Sequence, residues 1–245
     1  MDYKVVIPSY DRLLQLQGRT LRFLLRHKKD TSQIYIFAHP LCYDQYLTLK
    51  NKYPNINIIE SKGGIKNSRN YINEYFSQGT KIVEIDDDVE DLINLKTGES
   101  LEDLDGFISE SFSMCGNGIW GVSALNNSFF SSMKDKFGLQ SLVATFCGYV
   151  LNKNIRMTLD VMEDYERVIQ YYLQGKNIFK RSWVGIKTKY WTNSGGIQTE
   201  LDFDRRFMLQ NYCSDELAEK YPDLVYQRTR KNGLKDIRFK KIKYN

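Results

Sequence analysis

The stretch "KIVEIDDDVEDL", residues 81–92, joins a short apolar run to three consecutive aspartates and then a second acidic pair. The run has the length and β-branched content of a buried strand. Charge crowded at the end of such a strand has two readings: a solvated turn, or a place where carboxylates meet a cation. In an extended segment residues two apart point to one side, so Asp86 and Asp88 are predicted to project together with Cα atoms roughly 6.5 Å apart. That spacing suits Mg²⁺ or Mn²⁺, which prefer carboxylate, water and phosphate oxygens.

The neighbouring sequence supplies the sheet that such a strand needs. "YKVVIP", "QIYIFA" and "INIIE" read as strands, and "RLLQLQGRTLRFLLRH", "YDQYLTLKNKY" and "NSRNYINEYFSQG" as helices, the last closing at Gly79. Strands alternating with helices argue for right-handed βαβ units and a parallel sheet. Ligands of such sheets sit at the carboxyl ends of the strands. The acidic turn then shares a crevice with the loop at Ser9, Tyr10 and Arg12.

The second half is less regular. Ser100 is a candidate cap for a helix "LEDLDGFISESF"; "GIWGVSAL" and "SLVATFCGYVL" follow, then a helix from near Asp160, "NIFKRSWVGIKTKYW", and a glycine turn at Gly195 and Gly196. With four prolines and no repeat or low-complexity linker, one α/β domain over residues 1–245 is expected. Within it the regular half spans residues 1–95, the less regular half 96–227, and a basic tail 228–245. The fold class is α/β, a Rossmann-type, mostly parallel twisted sheet flanked by helices.

Composition narrows the setting. Hydrophobic residues make up 42% and aromatics 13%, as in a folded globular protein. No apolar run approaches the ~20 residues that span a bilayer, so no membrane partner is expected. The start "MDYKVVIPSYDR" lacks the pattern of a signal peptide. The four cysteines are scattered without a CxxC pair, which argues against a zinc site or a disulfide framework. A reducing cytoplasm is the expected location. Net charge is +5, with eight Lys and Arg between Arg228 and Lys243 against Asp236 alone. Such a segment either solvates the chain or meets a polyanion.

"VVIPSYDR", "GGIKNSRNYINEYFSQGTKIVEIDDDVEDL" and "MEDYERVIQYYLQG" together resemble the landmarks of GT-A glycosyltransferases. More closely they resemble the TET-associated glycosyltransferases of bacteriophages, which are similar to base J glucosyltransferases and add sugars to hydroxymethylated bases of DNA. The resemblance covers most of residues 1–200, and it implies that 1–95 is the nucleotide-sugar-binding half and 96–227 the acceptor half. It implies that Pro8, Ser9, Tyr10 and Arg12 hold the base and ribose of a nucleotide sugar, with Gly64, Arg69, Asp86 and Asp87 completing the donor site. Arg69 would lie against the base or diphosphate. Asp86 and Asp88 would carry the metal, Mn²⁺ or Mg²⁺. Many GT-A enzymes add a histidine ligand from the C-terminal part, whereas here the only histidines are His27 and His39. A haloacid-dehalogenase reading is disfavoured, because the first strand ends in Pro8-Ser9-Tyr10 and offers no carboxylate nucleophile.

A transferase also needs a base for its acceptor hydroxyl. In "DVMEDYERVIQYY", Val161, Tyr165, Val168, Ile169 and Tyr172 form a helical stripe with Asp160 as N-cap. On that wheel Asp164 flanks the apolar face, and Glu163 points away and can pair with Arg167. Asp164 is thus the candidate base and Glu163 its reserve. The expected reaction moves a sugar from a UDP-sugar to the hydroxymethyl group of a modified cytosine in double-stranded DNA, with Lys240, Lys241 and Lys243 on the phosphates. A polysaccharide, lipid or protein acceptor, or a catalytically silent nucleotide- or DNA-binding module, are the alternatives.

Overall fold

The computed structural model describes residues 2–188 and 203–241. Strands β1 (Lys4–Ser9), β2 (Ile34–Ala38), β3 (Asn57–Glu60) and β4 (Lys81–Ile85) follow one another through helical crossovers. The crossovers are the helical run α1 (Leu13–Leu16) to α2 (Arg22–Arg26), the short α3 (Tyr43–Leu47) and α4 (Ile65–Tyr75). These strands pair in parallel in the order β3-β2-β1-β4. As in the expected βαβ units, all four deliver their carboxyl ends to one edge.

The second half extends this sheet with mixed polarity. After β5 (Asp91–Asn94), α5 (Leu104–Cys115), β6 (Ile119–Ser123) and β7 (Lys136–Phe137) comes β8 (Phe146–Val150). Strand β8 is antiparallel to both β4 and β6, and β9 (Ile178–Lys187) runs parallel to β6. Strands β5 and β7 pair antiparallel with β9. Six of the nine strands in this sheet therefore share one direction. The result is a single mixed α/β sheet with helices on both faces.

Alternation along β1 shows how the two faces are filled. Val5 and Ile7 join a core with Leu16, Leu24 and Phe112, whereas Val6 points the other way, toward Ile72 and Val168. All four cysteines are buried and unbridged. Among the described residues no helix is long and apolar enough to cross a membrane.

Several boundaries differ from the sequence reading. Helix α4 ends at Tyr75 rather than Gly79. Asp103 caps α5 by accepting from the Gly106 N–H, and Ser100 instead donates to Asp91. Helix α6 (Glu163–Leu173) begins after Met162, which holds a left-handed φ of 62°, so Asp160 is not its cap. The basic tail is largely not a tail. Helix α7 (Phe203–Lys220) is followed by a hairpin of β10 (Val225–Thr229) and β11 (Lys235–Phe239), folded onto α7 around Val225, Ile237 and Cys213. Lys189, Tyr190, Trp191, Gly195, Gly196 and Lys243 lie outside the described residues.

Candidate active site

A cleft of about 520 Å³ opens where the carboxyl ends of β1 and β4 meet the first turns of α4 and α6. Pro8, Ser9, Tyr10, Arg12, Gly64, Arg69, Asp86, Asp87, Asp88, Glu163 and Asp164 all line it. The sequence-selected residues, drawn from four separated segments, thus come together in one place.

The acidic segment is a turn and not an extended run, so two-residue alternation does not govern it. Fully buried Thr20 fixes that turn: its hydroxyl donates to the Asp86 carbonyl at 2.7 Å and accepts from the Val89 N–H at 3.0 Å. Thr20 comes from a π-helical turn, Gln17–Leu21, interrupting the α1–α2 run. Such turns re-aim side chains toward functional sites. The three carboxylates consequently diverge. Asp87 is buried, 2.6 Å from the Ser9 hydroxyl and 3.1 Å from Arg12. Asp88 shares Arg12 at 3.3 Å and accepts from the Thr188 hydroxyl at 2.9 Å. Asp86 turns toward Arg69, at 3.8 Å, and with 32% of its side chain exposed is the most open of the three. The expected joint projection of Asp86 and Asp88 is therefore replaced by two differently partnered carboxylates at one cleft wall.

Arg69 lines the cleft, but its guanidinium is largely enclosed by carboxylates. It is buried, its Nε donates to Glu84 at 2.6 Å, and its other nitrogens face Glu163 and Asp86. A guanidinium so enclosed organises these carboxylates at the cleft wall. Glu84 is fully buried in β4 and also takes both Arg167 terminal nitrogens, at 2.8 and 3.2 Å, and the Tyr149 hydroxyl at 3.1 Å. Although burial opposes ionisation, Arg167 and Arg69 hold the Glu84 carboxyl down at about 2. This network also overturns the helical-wheel pairing: Glu163 is buried against Arg69, and Arg167 belongs to Glu84. Glu84 was missed, and the lone acidic residue within "KIVEI" was its signal.

Asp164 is half-buried at the start of α6, accepting from the Tyr165 N–H at 2.9 Å. Burial raises its pKa, with Arg69 opposing. Burial likewise pushes Asp86 up to about 6 and Asp87 to about 7, against the attraction of Arg69 and Arg12 respectively. Neighbouring carboxylates add to the effect of burial on Asp86 and Asp87. Glu84, Asp86, Asp87, Asp88, Glu163 and Asp164 gather around Arg12, Arg69 and Arg167. A concentration of carboxylate oxygens at a cleft wall suits a divalent cation, and Asp86 and Asp88 are the groups that could hold one. No cluster of three or more His, Cys, Asp or Glu with metal-site geometry occurs among the described residues, so phosphate or water oxygens would have to complete the shell.

Part of the lining was not foreseen. Arg206 and Gln210 of α7 and Arg230 and Asp236 of the hairpin also line the cleft. The cationic run from Arg228 to Lys243 was a signal for Arg230 alone, and Arg206 and Gln210 lie outside it.

No protein-family model matches the chain, and no curated protein matches it in sequence. Solved structures do resemble it. Residues 1–349 of TarS from S. aureus superpose with a TM-score of 0.55 at 13% identity, covering 89% of this chain and 66% of that one. The same protein in complex with UDP-GlcNAc gives a TM-score of 0.56 at 14% identity, covering 89% and 67%. A mannosyltransferase from Pyrobaculum calidifontis, in complex with GDP-Man and Mn²⁺, gives 0.56 at 9% identity, covering 90% and 64%. This chain spans about two thirds of the length of these neighbours. The likeness is one of fold, and the fold is that of GT-A-type glycosyltransferases.

Proposed function

We propose that the cleft transfers a sugar from a nucleoside-diphosphate sugar, a UDP-sugar, to the hydroxymethyl group of a modified cytosine in DNA. The observation that carries this reading is convergence: every residue the resemblance selects lines one cleft at the carboxyl ends of the parallel strands. The donor class is supported by the ligands of the structural neighbours, UDP-GlcNAc in one and GDP-Man with Mn²⁺ in another. The DNA acceptor rests on the sequence resemblance.

The chain's residues divide the work. The β1 loop, Pro8 to Arg12, and Gly64 form the donor side of the cleft. A divalent cation held by Asp86 and Asp88 would supply charge neutralisation for the departing diphosphate. Asp164 takes the proton of the acceptor hydroxyl as that oxygen bonds to the sugar's anomeric carbon and the bond from that carbon to the diphosphate oxygen breaks. A raised carboxyl pKa moves a base toward the operating pH, where general-base catalysis works best. Glu163 is committed to Arg69 and holds the first turn of α6 in place. Attack from the face opposite the leaving group inverts the anomeric centre.

The test is to incubate the protein with Mn²⁺, a panel of UDP-sugars, and hydroxymethylated or unmodified DNA. Free UDP and the mass of the digested nucleosides are then read. A sugar-sized mass gain on hydroxymethylcytosine alone is the expected result. Absence of UDP release with every donor would defeat the enzymatic reading, and UDP release without nucleoside modification would defeat the DNA acceptor.

A further inference from the structure

The register of the β10–β11 hairpin gives it two chemically distinct faces. Val225 lies opposite Phe239, Gln227 opposite Ile237 and Thr229 opposite Lys235. This inner face is packed: Val225 and Ile237 are buried with Cys213 and Leu217 of α7, and Gln227 donates to Ser214 and Asp215. Phe239 stacks on Tyr165 at 5.6 Å between ring centroids. The hairpin is thereby fixed beside the residue that follows Asp164.

The alternate residues make the outer face. Tyr226 lies opposite Arg238, and Arg228 opposite Asp236. Tyr226, Arg228 and Arg238 are exposed, as is Lys231 in the connecting turn. Asp236 is neutralised by Arg230, whose Nε and Nη2 donate to it at 2.6 and 2.9 Å. Arg228, Lys231 and Arg238 enter no ion pair among the described residues, so the face is net cationic. Asp236 and Arg230 also line the cleft, so this face runs into the site. Lys240, by contrast, donates to the Pro222 carbonyl and tethers the strand end.

We infer that this outer face, centred on Arg228, Arg238 and Tyr226, holds the phosphodiester backbone of acceptor DNA at the mouth of the cleft. The inference rests on the sugar-transfer reading above for its acceptor. A major groove admits a two-stranded β-ribbon, and a 5-hydroxymethyl group projects into that groove. Guanidiniums on the ribbon set the register through phosphates without reading sequence. The ribbon therefore presents a base edge to Asp164 while Arg228 and Arg238 anchor the flanking strands.

Arg228→Gln/Arg238→Gln tests this. Binding of a short hydroxymethylated duplex is followed by fluorescence anisotropy across a salt series, with Lys50→Gln/Lys52→Gln, exposed positions that do not line the cleft, as the charge-matched control. The expected result is about tenfold weaker binding and a log–log salt slope flattened by up to roughly two for the arginine pair, from the loss of two phosphate contacts. Arg228→Lys/Arg238→Lys should keep most of the slope, and UDP release without DNA should match the unaltered protein in all variants. Superimposable salt lines for the unaltered and arginine-pair proteins, or an equal loss in the lysine control, would remove the hairpin from the interface. If the unaltered protein releases UDP but binds no duplex, the surface and the DNA acceptor fall together while the transferase reading stands.

Discussion

At the scale of single residues, the proposed reaction makes distinct demands on the acidic turn and the first turn of α6. Asp88→Ala should abolish Mn²⁺-dependent transfer, because the diphosphate then departs without charge neutralisation. Asp86→Ala should do nearly as much damage. Near-wild-type turnover by Asp88→Ala, with an unchanged melting temperature, would return the cluster to a solvated turn. The two carboxylates of α6 should separate differently. Asp164→Asn is expected to bind UDP normally and lose about 10²- to 10⁴-fold in turnover, the usual worth of a positioned base. Glu163→Gln should mainly lower stability, since it leaves part of the buried Arg69 guanidinium uncompensated. A folded Glu163→Gln protein that turns over as slowly as Asp164→Asn would sink this division of roles. The positions of these groups were legible because strand ends, Asp runs and helix starts leave local marks. Their partners were not. Arg69 reaches Glu84 across 15 positions and Arg167 reaches it across 83, distances that only the fold can close.

At the scale of elements, the first half was legible because each strand and helix there satisfies its own local pattern. The second half hides its logic in pairing. Strand β8 runs antiparallel between β4 and β6, and nothing in "SLVATFCGYVL" announces that it separates strands of one direction. Gly148, its central residue, explains one choice. It pairs with Trp120 in register, and a Cβ there would fall 2.3 Å from the indole Cε2 of that fully buried ring. Gly148→Ala is thus an overpacking change in mid-sheet. It should cost roughly 1–3 kcal/mol or more, because neither the ring nor the strand can yield without moving its neighbours. Chemical denaturation gives the value, and Gly79→Ala is no substitute control because its φ of 82° adds backbone strain. Gly18, which has open space around a Cβ, is the suitable comparison. Equal stability of Gly148→Ala and Gly18→Ala would mean that the β8–β6 packing is looser than described.

At the scale of the whole molecule, stability is tied to pH through buried carboxylates with opposite shifts. Glu84 joins β4 to α4 and α6, and its carboxyl is held near 2 against an ordinary value of 4.5. A depressed acid stabilises the fold above its unfolded pKa and loses that contribution as pH falls through the folded value. Glu84 therefore supports the fold above about pH 4.5 and gives up roughly 3 kcal/mol between there and pH 2. Glu166 acts in the same sense: burial raises its pKa, but the Thr158 N–H and hydroxyl and Lys220 more than offset this, and the net shift is downward. Asp86 and Asp87 act oppositely. Their raised values stabilise the fold in mild acid, and this contribution fades as pH rises through about 6 and 7. Without added metal, the melting temperature should accordingly peak in mild acid, fall gently toward neutrality and drop steeply below pH 4. Glu84→Gln separates the limbs. It strands Arg69 and Arg167 in the interior and should cost about 3–5 kcal/mol at pH 7. Having no carboxyl at that site to protonate, it should also lose less stability than the unaltered protein between pH 4.5 and pH 2. Melting curves of both proteins across that range decide the matter: parallel losses on acidification would show that the carboxylate at the centre of the fold is not what acid attacks.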